Sequence, residues 1–207
     1  MNNDFAQYRY RYKGSGGSSL MSKIKNRFPT RGLMEAISLY EFVATVGLAF
    51  LAASGLNLYA AMLLVFLVGK QIPERILKDL VFKKQPLNTR PTGAMDCNLI
   101  NRGGDATSKP GFPSGHTTTA SFLFFIQIFQ FINTNKNGGL LTLSGIFAVL
   151  VPFARVALRC HTLPQVMGGF ILGCLLALLF LVLENNVFIN IPRYVEDKKK
   201  FYALFNV

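Results

Sequence analysis

The chain has 207 residues, 51% of them hydrophobic and only 15% charged, with a formal net charge of +12. That length makes one domain the default. The shortage of charge, against roughly 25% in soluble domains, excludes an ordinary water-soluble globule and points to a membrane protein. No recognised nucleic-acid motif accompanies the basic charge, which excludes nucleic acid as a partner and favours membrane lipids or a phosphate-bearing substrate.

Residues 1–33 read as a basic, flexible arm. Arg9, Arg11, Lys13, Lys23, Lys25, Arg27 and Arg31 lie around a Gly/Ser stretch at 14–19, and no cleavable signal peptide is visible. Five apolar segments follow, at 34–54 (interrupted near its start by Glu35 and Glu41), 56–69, 117–132, 140–153 and 166–183. Each is apolar on all faces, which predicts buried or lipid-facing helices rather than amphipathic ones. The second is short for a span of about 20 residues and is extended towards Ile76. The fold class expected is all-α, an integral membrane bundle of about five transmembrane helices. Residues 34–184 form its membrane-embedded domain and 185–207 a juxtamembrane tail, in which Lys198, Lys199 and Lys200 suit a headgroup anchor.

The connections between segments are unequal. Residues 70–116 form a long, polar, basic region, and a loop of that length in a compact chain is usually functional. Alternation of spans puts this region and the connection at 155–164 on one face of the membrane. Both histidines of the chain lie there, His116 after Pro113-Ser114-Gly115 and His161 six residues after Arg155. Phosphate-ester hydrolysis needs cations on the phosphate oxygens, a nucleophile and an acid for the leaving oxygen. Lys83, Arg90 and Arg155 can supply the cations and the two imidazoles the other roles. Ser114 suits the N-cap of the third helix, and Gly115 lets an anion approach its amides. A plain capped helix start explains the same four residues.

Lys83-x6-Arg90-Pro91, Pro113-Ser114-Gly115-His116 and Arg155-x5-His161, in that order, resemble the three motifs of the type-2 phosphatidic acid phosphatase superfamily, over roughly residues 70–175. The resemblance implies that Lys83, Arg90 and Arg155 bind phosphate with help from Ser114 and Gly115. It implies that His116 is the general acid, that His161 forms a phosphohistidine, and that no metal or other cofactor takes part. Two positions depart from the pattern: Ala154 replaces a serine, and Gln165 stands where an aspartate usually follows the nucleophile. Gln165 can bond His161 through its amide oxygen but brings no charge. His161-Thr162-x-x-Gln165-Val166-x-x-Gly169 also resembles the matching stretch of dolichyl diphosphate phosphatases, and Thr162-x-x-Gln165 fits a capping box opening the fifth helix.

The expected function is therefore hydrolysis of a lipid phosphate monoester or diphosphate, the latter a polyprenyl diphosphate, in the endoplasmic reticulum or another endomembrane. A weak or inactive lipid-phosphate binder, a lipid phosphotransferase, and a channel or transporter with a basic vestibule are the competing readings. Orientation stays open. The site face carries 17 of the 22 basic residues, which by the positive-inside rule is cytoplasmic, whereas integral members of the resembled family usually place the site in the lumen or outside. A Cys97–Cys160 bridge, the physiological lipid and the oligomeric state also stay open.

Overall fold

A computed structural model describes residues 31–55, 57–94, 96–97 and 105–205. The arm at 1–30 lies outside the described residues. The described part is all-α: α1 (Arg31–Ser38), α2 (Tyr40–Ser54), α3 (Leu58–Gly69), α4 (Gln71–Ile76), α5 (Gly115–Thr134), α6 (Gly138–Ala157), α7 (Leu163–Asn186) and α8 (Pro192–Ala203). One π-helical turn, Leu77–Val81, continues α4.

The second apolar segment is longer than its hydropathy indicates. Lys70 N still donates to Phe66 O, and Glu74 N to Lys70 O, so α3 passes into α4 almost without a break. The interruption falls where Pro73 has no N–H to give Gly69 and its ring crowds that carbonyl. The first part of the expected 70–116 loop, up to Val81, is thus a helical extension that carries charged residues towards the site.

Three helical stretches among the described residues are long and apolar enough to cross a membrane: Gly32–Ser54, Gly138–Ala157 and Leu163–Asn190. Phe42, Phe50, Val149, Ile171, Leu175 and Val182 stand exposed on them, an apolar surface that suits lipid. α5 is different. It packs most extensively on α7 and next on α6, at the centre of the bundle. Its first two turns bury Thr117, Thr118, Thr119 and Ser121, which lowers its hydropathy while the helix remains interior.

The α5–α7 contact is close because α7 presents glycines. A methyl group on Gly173 would meet Ser121 Oγ, Thr118 O at 2.5 Å and Phe122 N at 2.8 Å, two of these being backbone atoms. Small residues at such spacing let helix backbones approach in a bilayer, where packing replaces the hydrophobic effect between helices. The apolar core joins Tyr59, Leu63, Leu67, Phe122, Ile126 and Phe180.

Within the expected tail, the described residues 185–205 are largely helical. Helix α8 packs on α3 and adds Tyr194, Phe201 and Tyr202 to the core. Lys198, expected at headgroups, lies 2.6 Å from the Glu184 carboxylate, which also accepts from Tyr194 Oη at 2.8 Å. Asp197 accepts from Leu58 N at 2.8 Å, so the C-terminal helix also caps the start of α3.

Replacing Gly173 by alanine is expected to push α5 from α7 and cost about 1–3 kcal/mol. A fall in the thermal unfolding midpoint of the detergent-purified protein checks it.

Candidate active site

The starts of α5 and α7 are tied by their backbones. Ser114 N donates to Gln165 O at 3.0 Å, and a methyl group on Gly169 would collide with Ser114 O. The Pro113–His116 motif therefore sits beside residues 161–165.

His161 is turned inward by the end of α6. Cys160 N and His161 N both donate to Arg155 O, at 3.0 and 3.2 Å, and Arg159 takes the left-handed conformation (φ 57°) that lets the chain double back. Arg159 is exposed and His161 is 3% exposed. Burial, followed by the charges of Arg90 and Arg155, holds the imidazole well below its ordinary 6.5. It is a neutral base near pH 7.

Gln165 fixes which nitrogen of that base is free. Its Nε2 donates to Leu87 O at 3.0 Å and Thr89 O at 2.8 Å, which leaves Oε1 facing the other way. Oε1 accepts from Thr162 N at 3.1 Å, closing the capping box, and lies 3.1 Å from His161 Nδ1. An amide oxygen cannot donate, so Nδ1 carries the proton and Nε2 keeps its lone pair. All four bonding positions of this buried amide are used. A carboxylate here would face two carbonyl oxygens, which is a physical reason for glutamine in place of aspartate. Both sequence readings of Gln165, cap and imidazole partner, hold together.

Two guanidinium groups converge on the same place. Arg155 is 1% exposed; its Nη1 donates to Cys97 O at 3.2 Å, and its Nε has no acceptor among the described residues. A buried donor without an acceptor suits an anionic oxygen. Arg90 Nη1 donates to Cys160 O at 2.7 Å. The two carbonyls that hold these arginines belong to Cys97 and Cys160, which form a disulfide. The bridge clamps the long loop to the His161 turn.

Ser114 occupies the N-cap position of α5, but its side chain makes no capping bond. Its Oγ accepts from Thr117 Oγ1 at 3.1 Å, so the serine proton is available to another acceptor. Gly115 has a reason for lacking a side chain: a methyl group there would meet Glu74 Oε2 at 2.7 Å. His116 Nδ1 lies 3.1 Å from Glu41 Oε2. Arg155, Glu41, Lys70 and Lys78 act electrostatically on His116, and Arg90, Arg155 and His116 on His161.

The structure thus brings together Arg90, Ser114, Gly115, His116, Arg155, His161 and Gln165. Lys83 is exposed, whereas Lys78, five residues earlier, is 20% exposed, 3.5 Å from Glu74 Oε2 and one of the charges that act on His116. The sequence reading passed over Glu41, Lys70, Glu74 and Lys78. The available signals were a carboxylate inside an apolar helix, which marks function by default, and Lys/Glu/Lys at spacings of four. Among the described residues no group of His, Cys, Asp and Glu is arranged to hold a metal ion.

The PAP2 superfamily model matches residues 54–189, well over half of the chain. The chain belongs to the PAP2 superfamily. It is 37% identical over 71 residues to phosphatidylglycerophosphatase B of Bacillus subtilis (strain 168), an alignment that covers 31% of this chain and 34% of that protein, about a third of the relative's length. The fold resembles the crystal structure of a transmembrane PAP2-type phosphatidylglycerolphosphate phosphatase from Bacillus subtilis, with a TM-score of 0.57 at 21% identity, covering 81% of this chain and 84% of that one. All three expected motifs fall within the PAP2 match.

Replacing Gln165 by glutamate is expected to destabilise the protein by about 2–4 kcal/mol at pH 7, because a buried charge would oppose two carbonyls. Thermal unfolding of the variant in detergent checks this. His161 is held neutral while the unfolded chain takes up a proton near 6.5. Its contribution to stability is therefore full above that pH and is lost as pH falls below it. Unfolding midpoints measured from pH 8 to pH 5 are expected to decline, less steeply in His161→Asn.

Proposed function

We propose that this PAP2 protein is a membrane lipid phosphatase that works through a phosphohistidine on His161. The observation that carries the reading is the fixed imidazole: Nδ1 held at Gln165 Oε1, Nε2 left with its lone pair, and Arg155 Nε buried close by without an acceptor among the described residues. The relatives named as phosphatidylglycerophosphatases support a phosphate monoester of a lipid as substrate.

The first step forms a bond from His161 Nε2 to phosphorus and breaks the bond from phosphorus to the leaving oxygen. The electron pair of that bond goes to the oxygen, and His116 supplies its proton. Arg90 and Arg155, with Ser114 Oγ, hold the phosphoryl oxygens, where charge is concentrated in the transition state. Lys83 lies on the exposed turn before Arg90, where it would meet phosphate from the headgroup side. In the second step water attacks phosphorus and gives a proton to His116, and the electron pair of the P–N bond returns to His161. No metal or cofactor has a role in this scheme.

A polyprenyl diphosphate is the second reading. It is favoured by Gln165, whose four satisfied bonds make it an integral part of this site, in a stretch resembling dolichyl diphosphate phosphatases. The Cys97–Cys160 disulfide supports an oxidising compartment outside the cytosol for the site face, against the count of basic residues. The lumen of the endoplasmic reticulum or another endomembrane meets that condition.

The test is phosphate release by the detergent-purified chain from phosphatidate, lysophosphatidate, phosphatidylglycerophosphate and a polyprenyl diphosphate. Release is expected from at least one and should fall on the order of 10³-fold or more in His161→Ala. Quenching in alkaline dodecyl sulfate should trap a phosphoryl label that is base-stable and acid-labile. Release from none of the four would leave a binding or transport protein. Release unchanged by His161→Ala would remove this nucleophile.

A further inference from the structure

We infer that Glu41, on the first membrane helix, is a positioning residue for His116, doing for the acid what Gln165 does for the nucleophile. The inference rests on the phosphatase reading of the site. Glu41 lies ten residues into the Gly32–Ser54 span, a stretch apolar enough to cross a membrane. A carboxylate there is costly unless it is paired, and one retained in such a place calls for a role.

Both of its oxygens are committed. Oε1 lies 2.7 Å from Lys70 Nζ and accepts from Thr119 Oγ1 at 3.2 Å. Oε2 lies 3.1 Å from His116 Nδ1. Lys70 is itself fixed: it is 4% exposed and donates to Glu74 Oε1 at 3.0 Å and to Gly115 O at 3.2 Å. The carboxylate cannot rotate away from the imidazole without giving up Lys70 and Thr119.

A carboxylate accepts and does not donate at neutral pH, so Nδ1 of His116 holds its proton towards Glu41. The proton for the leaving group then comes from Nε2, and the same nitrogen receives the proton of the attacking water in the second step. A negative charge beside the ring also favours the cationic form of His116, the form that donates. The arrangement parallels that at His161 with one difference. The acid has a charged partner and the nucleophile a neutral one, which suits an imidazole that must be cationic and an imidazole that must not be.

A group that only holds helices together and a group that positions the acid differ in which substrates feel its loss. An alkyl phosphate needs a proton on its leaving oxygen, whereas a nitrophenolate leaves without one. Phosphate release is measured for wild type, Glu41→Ala, His116→Ala and the double variant, with phosphatidate and 4-nitrophenyl phosphate. The phosphatidate/4-nitrophenyl ratio is expected to fall about 10²-fold in Glu41→Ala, the scale of general acid catalysis. The double variant should lie within about threefold of His116→Ala on phosphatidate, because two residues acting as one unit are not additive. Should the alanine variant not fold, Glu41→Met fills the space without an acceptor and carries the same test.

A ratio unchanged in the Glu41 variant, or losses that multiply in the double variant, would overturn the role of Glu41 while an active wild type keeps the phosphatase reading. Wild type that releases phosphate from neither these substrates nor the other lipids would end both.

Discussion

The side chain of Gln165 is the junction on which the site depends. Its amide bonds Leu87 and Thr89 in the long loop, Thr162 at the start of α7 and the ring of His161, and its backbone carbonyl takes the amide of Ser114. Five contacts from one buried residue bring the three motif regions into register. A buried amide is stable only when its donors and acceptors are all paired, so each contact is held by the need to satisfy the others. The orientation of the imidazole follows from the same constraint.

Around this junction backbone carbonyls anchor the cations. Arg155 reaches Cys97 O and Arg90 reaches Cys160 O. A carbonyl positions a guanidinium without neutralising it. Glu41 and Glu74 bond Lys70, Glu41 meets His116, and the Asp96 carboxylate acts on both arginines. Arg155 acts on both imidazoles, and the Glu41 carboxylate lies against His116.

The support for this geometry lies in the helices. α5 can bring His116 close to α7 because Gly169 and Gly173 offer no side chain, and because the hydroxyls of Thr118 and Ser121 are satisfied on the carbonyls of Ser114 and Thr117. The extension of α3 through α4 and the π-helical turn delivers Lys70, Glu74 and Lys78 to the same end of the bundle. At the opposite end α8 closes the core with aromatic rings and the Glu184–Lys198 pair.

The sequence by itself determined the fold class, the apolar helices, the three motifs and their placement on one face, because hydropathy and local spacing are one-dimensional properties. It also carried both roles of Gln165, since a capping box is a local pattern. It did not decide whether Cys97 and Cys160 pair, which lysine turns towards the site, or that Glu41 meets His116 across 75 positions of sequence. Those depend on how separate helices rotate and pack against one another. The extent of the second helix was hidden for a related reason: charged side chains lower the hydropathy of a segment whether they face water or partners, and only tertiary packing supplies the partners.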